Sequence, residues 1–196
     1  SKLGTKEKVD GKNQRTVLSK DEIDRIIGGF YFGQVILLTG KRGEGKSTFM
    51  SQLIVEALEQ GYKTFAYSGE LTDYHFKRWL DFQAAGPDNI VSNKDQFGEE
   101  TYLLTNEVID KLNNWYRGKA YLYDNSAVIE SEELESLLVT IEKAVCRYGI
   151  RFVCIDNLMT ALDVDMRDDL YRAQSKFLRE LKLLAYRHNI VVLLVA

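Results

Sequence analysis

The stretch Gly40-Lys41-Arg42-Gly43-Glu44-Gly45-Lys46-Ser47, followed by Thr48, is where residue types and spacing most directly imply chemistry. It meets every fixed position of the pattern G-x-x-x-x-G-K-[ST]. Glycines let a backbone wrap an anion without a Cβ clash. The amides of such a loop, and the N-terminus of a helix that follows it, supply donors and a positive dipole to phosphate. In this arrangement Lys46 reaches the β- and γ-phosphates and the Ser47 hydroxyl ligates Mg²⁺, so the expected substrate is ATP and the expected cofactor Mg²⁺. A chance glycine loop would lack the flanks seen here. The apolar run Val35-Ile36-Leu37-Leu38-Thr39 precedes the loop, and an amphipathic segment from Lys46 follows it, placing Phe49, Met50, Leu53, Ile54, Ala57 and Leu58 on one helical face.

Two carboxylates complete the candidate set. Phe152-Val153-Cys154-Ile155-Asp156 is a buried-strand pattern ending in Asp156, which would lie at the carboxyl edge of a sheet and hold the Mg²⁺ shell. Many strands end in Asp, so this signal gains its meaning from the loop. Glu70 follows Ser68-Gly69 at the end of a second strand pattern, Thr64 to Tyr67. Position alone leaves two roles open for Glu70: polarising an attacking water, or stabilising the dipole of the helix expected at 73–85.

Those residues need elements to hold them. Apolar strand runs at 35–39, 64–67, 120–123, 151–155 and 190–195 alternate with helical periodicity at 46–60, 73–85, 131–148 and 169–188, and more weakly at 98–117. Such alternation predicts an α/β domain with a mostly parallel twisted sheet covered by helices on both faces. The helix at 131–148 is expected to start at Ser131, with Glu132 and Glu133 at its positive end. Residues 1–22 are polar and lysine-rich and are expected to form a linker or arm, leaving 23–196 as the domain. The last apolar run should be an internal strand, so the domain is expected to continue beyond Ala196.

Composition sets wide bounds. With 196 residues, 45% of them hydrophobic, the chain can bury a substantial core and is not a disordered segment. No apolar run reaches the length of a membrane span. Cys146 and Cys154 are too few for a disulfide framework and lack metal-ligand spacing, Cys154 reading as a buried thiol, which makes a reducing cytoplasm the default. A net charge of −3 does not announce a nucleic-acid binder. Plainer roles suit the remaining candidates. His75 and His188 are isolated, Trp79, Phe82, Trp115 and Tyr116 suit packing, and Asp163-Val164-Asp165-Met166-Arg167-Asp168-Asp169 lacks the glycine and terminal Glu of a calcium loop.

The set Gly40–Ser47, Ser68-Gly69-Glu70-Leu71 and Ile155-Asp156-Asn157-Leu158 resembles the RecA-like P-loop ATPase domain of DnaB-like replicative hexameric helicases, with the Twinkle helicase and phage primase-helicases close in pattern. The resemblance covers about 23–196. It implies a motor that couples Mg-ATP hydrolysis to translocation on single-stranded DNA within a homo-oligomer, a hexamer, of bacterial, phage or organellar type. It also implies Glu70 as catalytic base and Arg78 as the residue packing on the adenine. The polar sensor, arginine finger and DNA loops of such proteins would lie past Ala196. The alternatives are another RecA-like ATPase (a recombinase or a regulatory ATPase of the clock type), a small-molecule P-loop kinase, for which no arginine-rich lid is present, and a non-hydrolysing nucleotide-binding module, against which Glu70 argues.

Overall fold

The computed structural model describes residues 7–9, 13–16, 29–41, 43–94, 97–123, 137–157 and 167–196. Arg42, Leu158, residues 163–166 and the start of the helix expected at 131–148 lie outside the described residues.

Continuous apolar runs become strands because both faces of a parallel sheet are covered by helices, most completely at its inner strands. Five strands form that sheet: β4 (Val35–Leu38), β5 (Lys63–Ser68), β8 (Ala120–Leu122), β9 (Ile150–Asp156) and β10 (Val191–Val195), in the order β4-β10-β9-β5-β8. All four pairings are parallel. Strand β10 is internal, and its five residues are at most 1% exposed.

Side chains alternate between faces along each strand, and the two cores follow that alternation. Phe152 and Cys154 of β9 and Val191, Leu193 and Val195 of β10 join Met50, Leu53, Ile54 and Ala57 of α1 (Lys46–Glu59). On the same side lie Phe76 and Leu80 of α2 (Asp73–Ala85) and Leu112 of α3 (Asn106–Tyr116). Val153, Ile155, Val192 and Leu194 turn the other way, onto Ile141, Ala144 and Val145 of α4 (Leu137–Tyr148) and Phe177, Leu181 and Leu184 of α5 (Arg167–His188). The α/β fold with helices on both faces is as expected. Cys154 is fully buried, and burial, then the charge of Asp156, pushes its thiol well above the usual range. His188 is not isolated: its Nε2 lies 2.8 Å from Glu142 Oε1, tying α5 to α4.

Two segments differ from the sequence expectation. The stretch 98–117 is helical only from Asn106. Before it, β7 (Glu100–Leu104) pairs antiparallel with β6 (Ile90–Lys94). Thr105 caps the helix, its hydroxyl accepting from Val108 N at 3.4 Å, and this N-cap was the local signal that the helical periodicity obscured. Within the stretch expected as a polar linker, β1 (Glu7–Val9) and β2 (Asn13–Thr16) form a hairpin, and β2 pairs with β3 (Phe30–Tyr31). A polar composition conceals a ladder whose partner is supplied by a later residue pair.

Because the second core is closed by fully buried side chains, Leu181→Ala should cost about 3 kcal/mol. Leu183→Ala, at a position 54% exposed two residues on, should stay within about 0.5 kcal/mol. Urea unfolding checks both, the first as a lowered midpoint at unchanged slope.

Candidate nucleotide site

Register is what gathers the chemical residues. Leu38 pairs with Val195, Val195 with Asp156, and Asp156 with Ser68, so the carboxyl ends of β4, β10, β9 and β5 stand in one row. The connections that leave this row, at Gly40, Ala196, Asn157 and Gly69, therefore open from the same edge, where ligands of open α/β sheets bind. The row continues past the strands through Ala196 N donating to Leu38 O at 3.0 Å and Gly69 N donating to Asp156 O at 2.6 Å.

From β4 the chain wraps through the glycine-rich loop into α1. Gly43 and Gly45 have φ of 85° and 82°, and a Cβ at either would meet nothing within 4 Å. Glycine is required there by backbone conformation, not by crowding. Gly40 is different: a Cβ would come 2.9 Å from Glu44 Oε2, the atom that accepts from Lys41 N at 2.7 Å. Lys46, the first residue of α1, donates from Nζ to the carbonyls of Gly40 and Lys41, so its ammonium lies over the loop. Ser47 Oγ donates to Asp156 Oδ2 at 3.3 Å. That contact spans the width of β10, which separates the loop strand from the strand carrying Asp156.

Asp156 is 4% exposed, and burial, followed by the charge of Glu70, holds its carboxyl above the ordinary carboxylate range; Ser47 and Lys46 act in the opposite sense. Glu70 is exposed on the turn after β5, and Asn157 Nδ2 donates to its Oε1 at 2.7 Å. A buried carboxyl facing a second carboxylate and a hydroxyl is a donor set suited to a hard divalent cation. Among the described residues no group of three or more His, Cys, Asp or Glu forms an all-protein cage.

These groups line one cavity of about 550 Å³: Gly43, Gly45, Lys46, Ser47, Thr48, Glu70, Asp156 and Asn157, closed by Trp79, Val195 and Ala196. Arg78 does not line it. Its guanidinium sits 5.8 Å over the Phe82 ring on the outer side of α2. The neighbouring residue Trp79, which the sequence assigns to core or subunit-interface packing, is half exposed and lines the cavity wall. Successive helical residues point about 100° apart, so only the docking angle of α2 decides which of the two faces the site. Asn157, named in the sequence only as part of the resemblance set, had no role assigned to it, and Val195 enters the site through the strand register.

Against known proteins, the family model described as "ATPase: KaiC" matches residues 20–196. The circadian clock oscillator proteins KaiC of Picosynechococcus sp. (strain ATCC 27264 / PCC 7002 / PR-6) and Rippkaea orientalis (strain PCC 8801 / RF-1) are 26% and 28% identical to it over 144 residues. Each match takes in 70% of this chain and 23% of the relative, so the chain spans less than a quarter of those proteins. Among solved structures, the KaiC-like protein of Pyrococcus horikoshii OT3 superposes with a TM-score of 0.63 at 21% identity, over 93% of this chain and 71% of that one, which supports the fold. The RecA-like ATPase part of the expectation is shown by these matches; a DnaB-like helicase is not specifically shown, and helicase activity does not follow from them. The chain is a RecA-like P-loop ATPase domain and belongs to the KaiC ATPase family.

Proposed function

We propose that the domain hydrolyses Mg-ATP as a regulatory ATPase of the KaiC type, not as a DNA-unwinding motor. The convergence of the phosphate loop, Asp156 and Glu70 on one cavity at the aligned strand ends carries the hydrolysis, and the match of the KaiC ATPase family model to residues 20–196 favours the regulatory type. Lys46 and the amides of Gly43 to Thr48 bind the phosphates. Ser47 and Asp156 hold Mg²⁺, which when bound neutralises charge developing on the phosphates. Glu70 orients a water and accepts its proton as the water oxygen bonds to the γ-phosphorus. The bond from that phosphorus to the bridging oxygen breaks, and ADP leaves with its electron pair. The loops that a second subunit would contribute make a homo-oligomer, a hexameric ring, the working form. No helix among the described residues is long and apolar enough to cross a membrane, and the cytoplasm is the compartment that fits this reading.

Lys46→Ala should lose both ATP affinity and turnover, whereas Glu70→Gln should bind ATP within about twofold of wild type and lose at least 10²-fold in kcat. Equilibrium nucleotide binding and phosphate release measure the two effects, and wild-type turnover in Glu70→Gln would remove Glu70 from the role of base.

The chain has two tryptophans, and only Trp79 lines the cavity; Trp115 is partly buried beside Tyr116. Mg-ATP should therefore change tryptophan emission in Trp115→Phe and leave Trp79→Phe silent. Single-stranded DNA should not alter turnover at low or physiological salt; salt-sensitive stimulation would return the helicase reading in place of this one.

A further inference from the structure

Glu70 stands on an exposed turn, where a glutamate has several rotamers open to it, yet a general base must lie within hydrogen-bond reach of one particular water. It also lines the same cavity as a second carboxylate, Asp156. Left to electrostatics, the two acids would move apart, and Glu70, the exposed one, has room to do so. The contact that opposes this is the amide of Asn157, donating from Nδ2 to Glu70 Oε1 at 2.7 Å. Asn157 is well suited to the task because it directly follows Asp156, the last residue of β9, which is paired on both sides, with Val195 and with Ser68. The Gly69 N to Asp156 O bond of 2.6 Å fixes the other partner, holding the turn that carries Glu70 against the same strand end. The hydrogen bond to Oε1 leaves Oε2 as the oxygen that can take a proton.

We propose that Asn157 is a positioning residue for hydrolysis: its side-chain amide holds the Glu70 carboxylate in the orientation from which it accepts the proton of the attacking water. The inference rests on Glu70 being the base. Asn157 acts on the chemical step through Glu70 and contributes little to nucleotide affinity, which comes from the loop and from Lys46. Hydrogen-bond partners that orient a reacting or ligating group typically contribute ten- to a hundredfold, and the lower end suits a single neutral donor.

The test compares Asn157→Asp, Asn157→Leu and Asn157→Gln in the intact protein, with Mg-ATP affinity read from Trp79 emission in a Trp115→Phe background and turnover from phosphate release. Asp and Leu are close in shape to Asn, and neither an ionised Asp nor Leu offers the donor. Both should lower kcat about tenfold with the ATP Kd within twofold, Asn157→Asp more severely because it adds a third carboxylate. Asn157→Gln retains an amide and should recover more of the rate than Asn157→Leu. On a Glu70→Ala background, Asn157→Leu should add nothing to the loss. Wild-type kcat in Asn157→Leu overturns the proposal, and so does an effect confined to Kd, which would make Asn157 a direct ligand of the nucleotide. A further loss on the Glu70→Ala background overturns it as well. Should Glu70→Gln keep wild-type turnover, the base assignment itself fails, and a slow Asn157→Leu enzyme beside it would place Asn157 in some other role.

Discussion

Strand β10 is the constraint on which the site depends. It pairs with the phosphate-loop strand on one side and with the Asp156 strand on the other, and its register sets Leu38 and Asp156 level across Val195. A shift of one residue would turn Val192 and Leu194 from one core to the other, which the helices on both faces resist. The geometry of the cavity thus inherits its accuracy from apolar packing some distance below it. No catalytic group is needed to hold another in place over that distance; a single row of backbone pairings does so.

Above that row, the electrostatics are arranged in opposition. Asp156 is buried with a second acid nearby, an arrangement that raises the free energy of its charged form. Lys46 and the Ser47 hydroxyl offset this only in part. A site with two acids at its floor and a ring of amides and an ammonium at its rim suits a ligand that brings its own cation together with its phosphates. Glu70, the more exposed acid, accepts a hydrogen bond from the amide of Asn157 at the strand end beside it.

How much of this could be seen in the residues alone depends on the distance over which each signal acts. The phosphate loop and the Asp156 strand were legible because their meaning lies in local spacing and in apolar runs that the sheet then buries. Layering and fold class followed from the alternation of those runs with helical periodicity. The Glu70–Asn157 contact was not legible: its partners are 87 positions apart and meet only because β5 and β9 are neighbours. Arg78 and Trp79 show the same limit on a smaller scale, since their order along α2 says nothing of which one turns inward. The β6–β7 hairpin escaped notice because its strands, exposed along most of their length, lack the apolar pattern that marks the inner strands.

The strand order also has a consequence in time. Among the described residues β4 has a single pairing partner in the sheet, β10, which follows it by more than 150 positions. As the chain is synthesised, β5, α1, α2, α3 and β8 can all assemble while the strand that anchors the phosphate loop still lacks a neighbour. Closing so long a loop carries a large entropy cost before any pairing rewards it, the condition that makes parallel sheets slow to form. Nucleotide affinity is thus acquired only once β10 has paired with β4. A ribosome-bound chain in which β10 has not yet emerged would display the complete glycine-rich sequence with no strand paired to β4 to hold it in register.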